Sequence, residues 1–183
     1  GTDVVVLDRP FSPGDPLPKS GDALVTTQPG LLLVVRTADC VPVLIGERKG
    51  QVVAAIHAGW RGTVAGIVSK TITLLKNQVE IPPKEPHLAI GPSIGPCCYE
   101  VDQPVIQPLK KSLPGWRSVL EPSSSEKGRL DLKKLIAHQA MISGVMNTAI
   151  TSSDLCTQCQ SEWFYSYRRE GRVNGTMISG IML

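Results

Sequence analysis

The chain of 183 residues carries a net charge of only +3, and 42% of its residues are hydrophobic. This length suits a single domain that buries its own core, and so small a net charge gives no reason to expect a nucleic-acid partner. No run of 18 apolar residues occurs, so we expect no membrane-spanning helix and no membrane partner.

The five cysteines are odd in number and include one adjacent pair. This pattern is not typical of the disulfide framework of a secreted protein. No signal peptide is visible, and the sequence opens at Gly1 with strand-like residues rather than with Met. We therefore expect a cytoplasmic protein with reduced thiols and a further segment upstream of Gly1.

Short apolar and β-branched runs predict strands over residues 2–7, 22–27, 31–35, 41–45, 52–57 and 87–90. The run Leu31 to Val35 is apolar throughout, which is typical of a strand buried on both faces. Four prolines predict a loop between Arg9 and Lys19. Further along, apolar residues at helical spacing predict helices over 105–113 and 131–143, and a closing strand covers 176–182.

The stretch from Thr37 to Gly62 holds the residues with the clearest chemistry. Cys40 precedes one strand-like run and His57 ends the next, so neighbouring strands would bring them side by side, with Asp39 next to the thiol and Arg61 just past the imidazole. Either residue alone is as well explained by packing, since a free cysteine is often a small buried hydrophobe. As a pair, they are either zinc ligands or a nucleophile and its base.

A glycine-rich turn and a predicted helix follow His57. Gly59 and Gly62 flank Arg61, and apolar residues recur at helical spacing from Thr63 onward. The first turn of a helix exposes unpaired N–H groups and a positive dipole end, so this segment predicts an anion site at Arg61 and Gly62. The alternative is that the glycines only allow a sharp turn and that Arg61 faces water.

The other four cysteines lie in the second half of the chain. Cys97 and Cys98 are neighbours in a loop rich in Gly and Pro, and in an extended chain they would point in different directions. We therefore expect that they do not serve one site together. Cys156 and Cys159 form a CxxC motif, which is half of a zinc site or a redox pair, but no second CxxC completes a four-cysteine site.

The segment Phe164 to Arg169 combines three aromatic residues with Arg168 and Arg169. Two neighbouring guanidinium groups can bind a phosphate or a carboxylate bidentately. The aromatic rings either cover a planar base or pack within the protein.

Taken in order, the segments TADC, HAGWRG, GPSIGPCCYEV, DLCTQC and FYSYRR resemble those of the YfiH family, also called the laccase-domain or multicopper polyphenol oxidase family. The resemblance extends from about residue 22 to residue 183. It implies an α/β (α+β mixed) fold, a four-layer α/β/β/α sandwich with mixed β-sheets that distantly resembles a toxin deamidase. We expect residues 1–183 to form one such domain without its N-terminal segment.

Members of this family bind one zinc ion through one cysteine and two histidines. The resemblance assigns the cysteine to Cys40 and one histidine to His57. The other histidine lies in a QVHG-like segment whose glycine corresponds to Gly1, so the third ligand is expected just before Gly1. His87 and His138 are poor substitutes on sequence grounds.

The resemblance also implies a purine nucleoside phosphorylase that splits adenosine, inosine, guanosine or methylthioadenosine with phosphate, or a deaminase of adenosine. The candidate catalytic residues are Asp39, Cys40, His57 and Arg61, and the candidate phosphate-binding residues are Arg61, Gly62, Arg168 and Arg169. Asp39 is either the general acid/base or a partner that orients a ligand.

The older family label is copper-dependent oxidation of polyphenols, which makes Cu²⁺ the alternative metal. A multicopper oxidase needs about ten histidines for its copper centres, whereas this chain has three, which disfavours laccase chemistry. Two further alternatives are a metal-free Cys–His hydrolase or deamidase, with Cys40 as nucleophile, and a zinc-stabilised binding module without catalysis.

Overall fold

The computed structural model describes residues 1–9, 14, 21–47, 49–78 and 86–183. In chain order the strands are β1 (Val4–Leu7), β2 (Ala23–Thr26), β3 (Leu33–Thr37), β4 (Val41–Glu47), β5 (Val53–Ala58), β6 (Pro86–Ile90), β7 (Glu100–Val101), β8 (Leu120–Pro122), β9 (Gly128–Leu130), β10 (Ile150–Ser152) and β11 (Met177–Ile181). The helices are α1 (Trp60–Val64), α2 (Ile67–Gln78), α3 (Gln103–Ser112), α4 (Leu132–Ile142) and α5 (Tyr167–Glu170), with 3₁₀ turns at Trp116–Ser118 and Asn147–Ala149.

Six strands form the main sheet, in the order β1-β2-β5-β4-β6-β10. The outer pairs β1–β2 and β6–β10 are parallel, whereas β5 and β4 pair antiparallel with each other and with their neighbours. Strand β3 pairs with β11 in a separate two-stranded sheet, and β7, β9 and β8 form a small third sheet. Mixed sheets interleaved with helices confirm the predicted α/β class.

The two faces of β5 determine how the layers stack. Ala54 and Ile56 belong to the main core, which also holds the buried residues of α2 and α4. The alternate residues Val53 and Ala55 pack in a second cluster with Leu33 of β3. Helices, six-stranded sheet and β3–β11 sheet therefore stack in that order, and Ile178 on the far face of the smaller sheet is 70% exposed.

Two elements differ from the expectation drawn from sequence. Strand β3 alternates, with Leu33, Val35 and Thr37 buried and Arg36 exposed, so it buries one face rather than both. The helix expected after β5 is divided into α1 and α2, because Gly66 takes a φ of +80°. That left-handed backbone, which glycine adopts at little cost, ends α1.

The later helices confirm their predictions. Helix α3 carries Pro104 in its first turn, where the missing N–H has no intrahelical partner to lose. Asp131 caps α4 by accepting a hydrogen bond from the N–H of Lys134 at 2.9 Å. The predicted proline-rich loop from Arg9 to Lys19 falls mainly outside the described residues. Within those residues, no helix combines the length and apolar character that crossing a membrane requires.

Candidate functional site

The β4–β5 hairpin brings Cys40 and His57 to the same space. Pro42 pairs with His57 in the antiparallel register, so Cys40, just before β4, lies level with the residues that follow β5. An ideal β-carbon on Gly59 would lie 3.1 Å from Cys40 Sγ and 4.0 Å from His57 Nε2. The thiol and the imidazole thus border one small volume, which the missing side chain of Gly59 leaves open.

The surroundings of this pair keep both groups neutral. Burial raises the pKa of the Cys40 thiol, and the carboxylate of Asp39 raises it further. Burial lowers the pKa of His57, although the nearby carboxylate of Asp22 opposes that shift. A neutral imidazole can donate its lone pair to a metal ion at once, and the thiol would lose its proton on binding. The donor set therefore fits two positions of a zinc site.

Asp39 is held by three hydrogen bonds that occupy both carboxylate oxygens. Its Oδ1 accepts from Thr157 Oγ1 at 2.6 Å, and its Oδ2 accepts from Ser166 Oγ at 3.0 Å and from the N–H of Arg168 at 2.7 Å. Its φ of +82° is the one positive value at a non-glycine among the described residues. These bonds favour a role in positioning Cys40 over a role in proton transfer.

A pocket of about 460 Å³ opens beside Cys40 and His57. Its walls combine aromatic rings with guanidinium groups: Trp60, Tyr99 and Tyr167, together with Arg36 and Arg168. The remaining lining residues are Ala38, Asp39, Ile94, Val173 and Thr176. Aromatic walls suit a planar base, and guanidinium groups suit an anion such as phosphate. Sequence reasoning missed Arg36, because it lies one residue beyond the predicted strand Leu31 to Val35, whereas β3 extends to Thr37 and includes it.

Arg168 and Tyr99 form the boundary between this pocket and a second one. Arg168 lies over the ring of Tyr99, 5.2 Å from its centroid, and donates to the carbonyl of Glu100 at 3.2 Å. The second pocket, of about 300 Å³, shares Trp60 with the first and adds Lys127. Burial raises the pKa of Tyr99 to about 12 against the opposing effect of Arg168, so its hydroxyl keeps its proton at neutral pH.

The contacts of Arg61 and Gly62 differ from those of the predicted anion site. Helix α1 has five residues, which is too short for an anion site at its N-terminus. The guanidinium of Arg61 stacks over the ring of Trp60 at 4.4 Å. A β-carbon on Gly62 would lie 2.7 Å from the carbonyl oxygen of Gly1. Gly62 therefore allows the start of the chain to approach α1, and its contacts do not support phosphate binding.

Arg169, also predicted to bind phosphate, is committed to contacts within its own loop. Its guanidinium donates to the carbonyls of Thr157, Gln158 and Phe164 at 2.7–3.1 Å. It also forms an ion pair with Glu170 at 3.0 Å. These contacts use both terminal nitrogens, so Arg168 alone of the two arginines faces the pocket.

The four cysteines left without a common role converge in space. The Sγ atoms of Cys97, Cys98, Cys156 and Cys159 all lie within 4.8 Å of one another, and this group could hold a metal ion. The expectation that Cys97 and Cys98 cannot serve one site is wrong, because a turn at Gly95 places both thiols on one side. In that turn, the carbonyl of Gly95 accepts from the N–H of Cys98 at 3.0 Å.

Comparison with known proteins supplies the family. The sequence profile of the family described as multi-copper polyphenol oxidoreductase laccase matches residues 1–183. Purine nucleoside phosphorylase YlmD of Geobacillus stearothermophilus is 38% identical over 165 residues, which cover 87% of this chain and 59% of that protein. The protein named adenosine deaminase RL5, from an unknown prokaryotic organism, is 34% identical over 161 residues, or 87% of this chain and 61% of that one.

Solved structures agree with the sequence matches. The Bacillus licheniformis hypothetical protein YfiH superposes with a TM-score of 0.87 at 34% identity, covering 90% of this chain and 62% of its own. YlmD from Geobacillus stearothermophilus gives a TM-score of 0.84 at 38% identity, covering 88% and 60%. These likenesses confirm the predicted YfiH-like fold. The chain spans about three fifths of the length of these relatives.

Proposed function

Because the chain belongs to the family described as multi-copper polyphenol oxidoreductase laccase, with relatives named purine nucleoside phosphorylase, we propose that it acts in zinc-dependent phosphorolysis of purine nucleosides. The proposed substrates are adenosine, inosine, guanosine and methylthioadenosine, with inorganic phosphate. One observation carries the proposal. A thiol and an imidazole that can bind a metal border a pocket lined by aromatic rings and guanidinium groups.

Cys40 and His57 would hold the zinc ion, because the thiol and the imidazole border the same small volume next to Gly59. A zinc ion with an open coordination position would supply a Lewis acid that polarises a substrate group or activates water.

In phosphorolysis, an oxygen of phosphate bonds to C1′ of the ribose while the bond from C1′ to the purine nitrogen breaks. We assign Arg168 and Arg36 to the anion, since their guanidinium groups are the cationic part of the pocket wall. Trp60, Tyr99 and Tyr167 would hold the base in orientation and exclude water. The protonated hydroxyl of Tyr99 is available as a hydrogen-bond donor to the substrate.

The experiment that tests the proposal is adenosine turnover with and without phosphate. The zinc-loaded protein is incubated with adenosine in the two buffers and the products are separated by chromatography. We expect adenine and ribose 1-phosphate in phosphate buffer and neither in phosphate-free buffer. No product from a folded, zinc-loaded sample would contradict the proposal and favour the binding module.

Deamination of adenosine is the second candidate, because one relative carries the name adenosine deaminase. Such a reaction replaces the amino group of the purine by an oxygen from water and releases ammonia without phosphate. The zinc ion that Cys40 and His57 would hold would supply the Lewis acidity that activates the water. Inosine formed equally in both buffers would therefore establish deamination in place of phosphorolysis.

The metal-free hydrolase is less well supported. A cysteine nucleophile needs its thiolate, and a paired imidazolium usually helps to stabilise it. Here burial and Asp39 raise the pKa of Cys40, while burial lowers the pKa of His57. Both shifts disfavour the ion pair.

Substitution of Gly59 by alanine tests whether Cys40 and His57 bind a metal ion together, because it adds a single carbon atom next to both side chains. Its β-carbon would lie 3.1 Å from Cys40 Sγ, closer than ordinary van der Waals contact, so the thiol must shift away from the shared volume. We expect adenosine turnover to fall about tenfold, with partial recovery in excess zinc. Gly59 has a φ of −72°, which alanine adopts without strain, so the thermal midpoint should stay nearly unchanged.

Gly46→Ala is the matched control, because its new β-carbon meets only Ile181 Cδ1 at an ordinary 3.7 Å. Equal turnover in the two alanine variants would show that the volume next to Gly59 plays no part in the reaction.

A further inference from the structure

The sulfur–sulfur distances in the four-cysteine cluster match those of a tetrahedral site for one metal ion. Cys159 Sγ lies 3.4 Å from Cys98 Sγ and 3.7 Å from Cys97 Sγ, and all four sulfurs lie within 4.8 Å of one another. Zinc–sulfur bonds of about 2.3 Å place the sulfurs of a tetrahedron about 3.8 Å apart. An iron–sulfur cluster needs its own irons and sulfides between the thiolates, so it would hold them farther apart.

The backbone around the cluster is arranged for thiolates. The N–H of Gly95 donates to Cys156 Sγ at 3.2 Å, and Cys156 forms a parallel bridge with Ser93. A β-carbon on Gly95 would lie 3.2 Å from Cys97 Sγ, so glycine leaves room for the sulfurs. An amide donor to a sulfur stabilises a metal-bound thiolate.

We propose that Cys97, Cys98, Cys156 and Cys159 bind one zinc ion as a structural site, separate from the Cys40–His57 pair. All four positions of the tetrahedron are filled by protein, which leaves no place for water or substrate. The ion joins two loops that lie about 60 residues apart in the chain. Such a crosslink is a structural zinc site, whose binding free energy contributes to folding.

The proposed ion also bears on the candidate active site. Thr157 lies between the two cysteines of the CxxC turn, and its hydroxyl donates to Asp39 Oδ1 at 2.6 Å. Asp39 in turn immediately precedes Cys40. Loss of the ion would therefore loosen the loop that holds Asp39, although no ligand of the cluster lines the pocket. The proposal does not depend on the reaction that the pocket catalyses.

Counting zinc per chain by elemental mass spectrometry tests the proposal. We expect the double variant Cys97→Ser/Cys159→Ser to contain one zinc per chain fewer than the wild type, and Cys40→Ser to keep that zinc. Both replaced thiols are exposed, so the substitutions leave the apolar core intact. The thermal midpoint of the double variant should fall by on the order of 10 °C. Gln160→Ala, an exposed change in the same turn, is the control and should match the wild type.

The absorption spectrum of the cobalt-loaded protein is a second test of which residues bind the ion. In the Cys40→Ser background, added Co²⁺ should produce the intense sulfur-to-cobalt charge-transfer absorption of four thiolates, and the further change Cys97→Ser/Cys159→Ser should remove it. Equal zinc content in the wild type and the double variant would overturn the proposal.

The wild-type protein tests the proposal without any substitution, in case the double variant does not fold. Iodoacetamide should label these four cysteines slowly until a chelator is added. Peptide mapping would locate the label. Equal labelling with and without chelator, or disulfides among the four residues in the freshly purified protein, would also overturn the proposal.

Discussion

Replacement of Cys40 by serine is expected to reduce kcat/KM for adenosine by at least about 100-fold. Loss of a residue that binds the metal directly should cost more activity than loss of a residue that only orients such a ligand. A serine hydroxyl keeps its proton at neutral pH and binds zinc poorly, while a thiol gives up its proton to the metal. Cys40 is only partly buried, and serine is close to cysteine in size, so the fold should survive. Steady-state kinetics and zinc content, measured on the same sample, check the result.

Chelation distinguishes a metal ligand from a nucleophile at Cys40. If the thiol binds zinc, a chelator should reproduce the loss in the wild type, added zinc should restore turnover, and Cys40→Ser should not respond to either. Iodoacetamide should label Cys40 only after chelation. Full activity of the chelated wild type, together with an inactive Cys40→Ser variant, would instead identify Cys40 as a nucleophile in a metal-free enzyme.

Replacement of Asp39 by alanine is expected to destabilise the protein by about 3–5 kcal/mol, since three donors lose a charged acceptor in a buried setting. Asp39 is 8% exposed, and its partners come from Thr157, Ser166 and the backbone of Arg168. In a protein of this size the thermal midpoint should fall by roughly 10 °C. Calorimetry of the purified variant measures the change, and loss of the loop that carries Arg168 should lower turnover as well.

Two further substitutions separate the hydrogen bonds from the backbone at this position. Asp39→Asn keeps one carbonyl acceptor, and asparagine tolerates the left-handed backbone, so it should cost about 1–2 kcal/mol. Asp39→Gly removes the side chain but also removes the strain of a φ of +82°, so it should be less destabilising than alanine by about 1 kcal/mol. An alanine variant as stable as the wild type would show that the three hydrogen bonds contribute little.

Local spacing was enough to predict the pairing of Cys40 with His57. Two apolar runs joined by a short turn can form one antiparallel hairpin, and the hairpin register places the residues at its open end together. The same reasoning predicted α4, whose cap Asp131 lies one residue before its first turn. In these cases the interaction that determines the structure is between residues close in the chain, so the sequence pattern carries it.

The partners of individual side chains were predicted less well. Arg169 and Gly62 belong to residue types that often bind phosphate, yet Arg169 donates to carbonyls of its own loop and Gly62 lies against the carbonyl of Gly1. Residue type and spacing describe what a side chain can do. They do not determine which partner lies within 3 Å of it, because that depends on how loops pack on the sheet.

The sequence by itself determined the mixed α/β fold class and the placement of Cys40 next to His57. It also determined the helices and strands at whose ends the candidate residues lie. The tertiary structure alone decided that Asp39 is fixed by Thr157 and Ser166, and that the four remaining cysteines meet. The physical reason is that side-chain direction within one strand or helix follows from its period. The contact between two loops depends on how elements far apart in the chain pack together, and the spacing of residues along the sequence does not describe that packing.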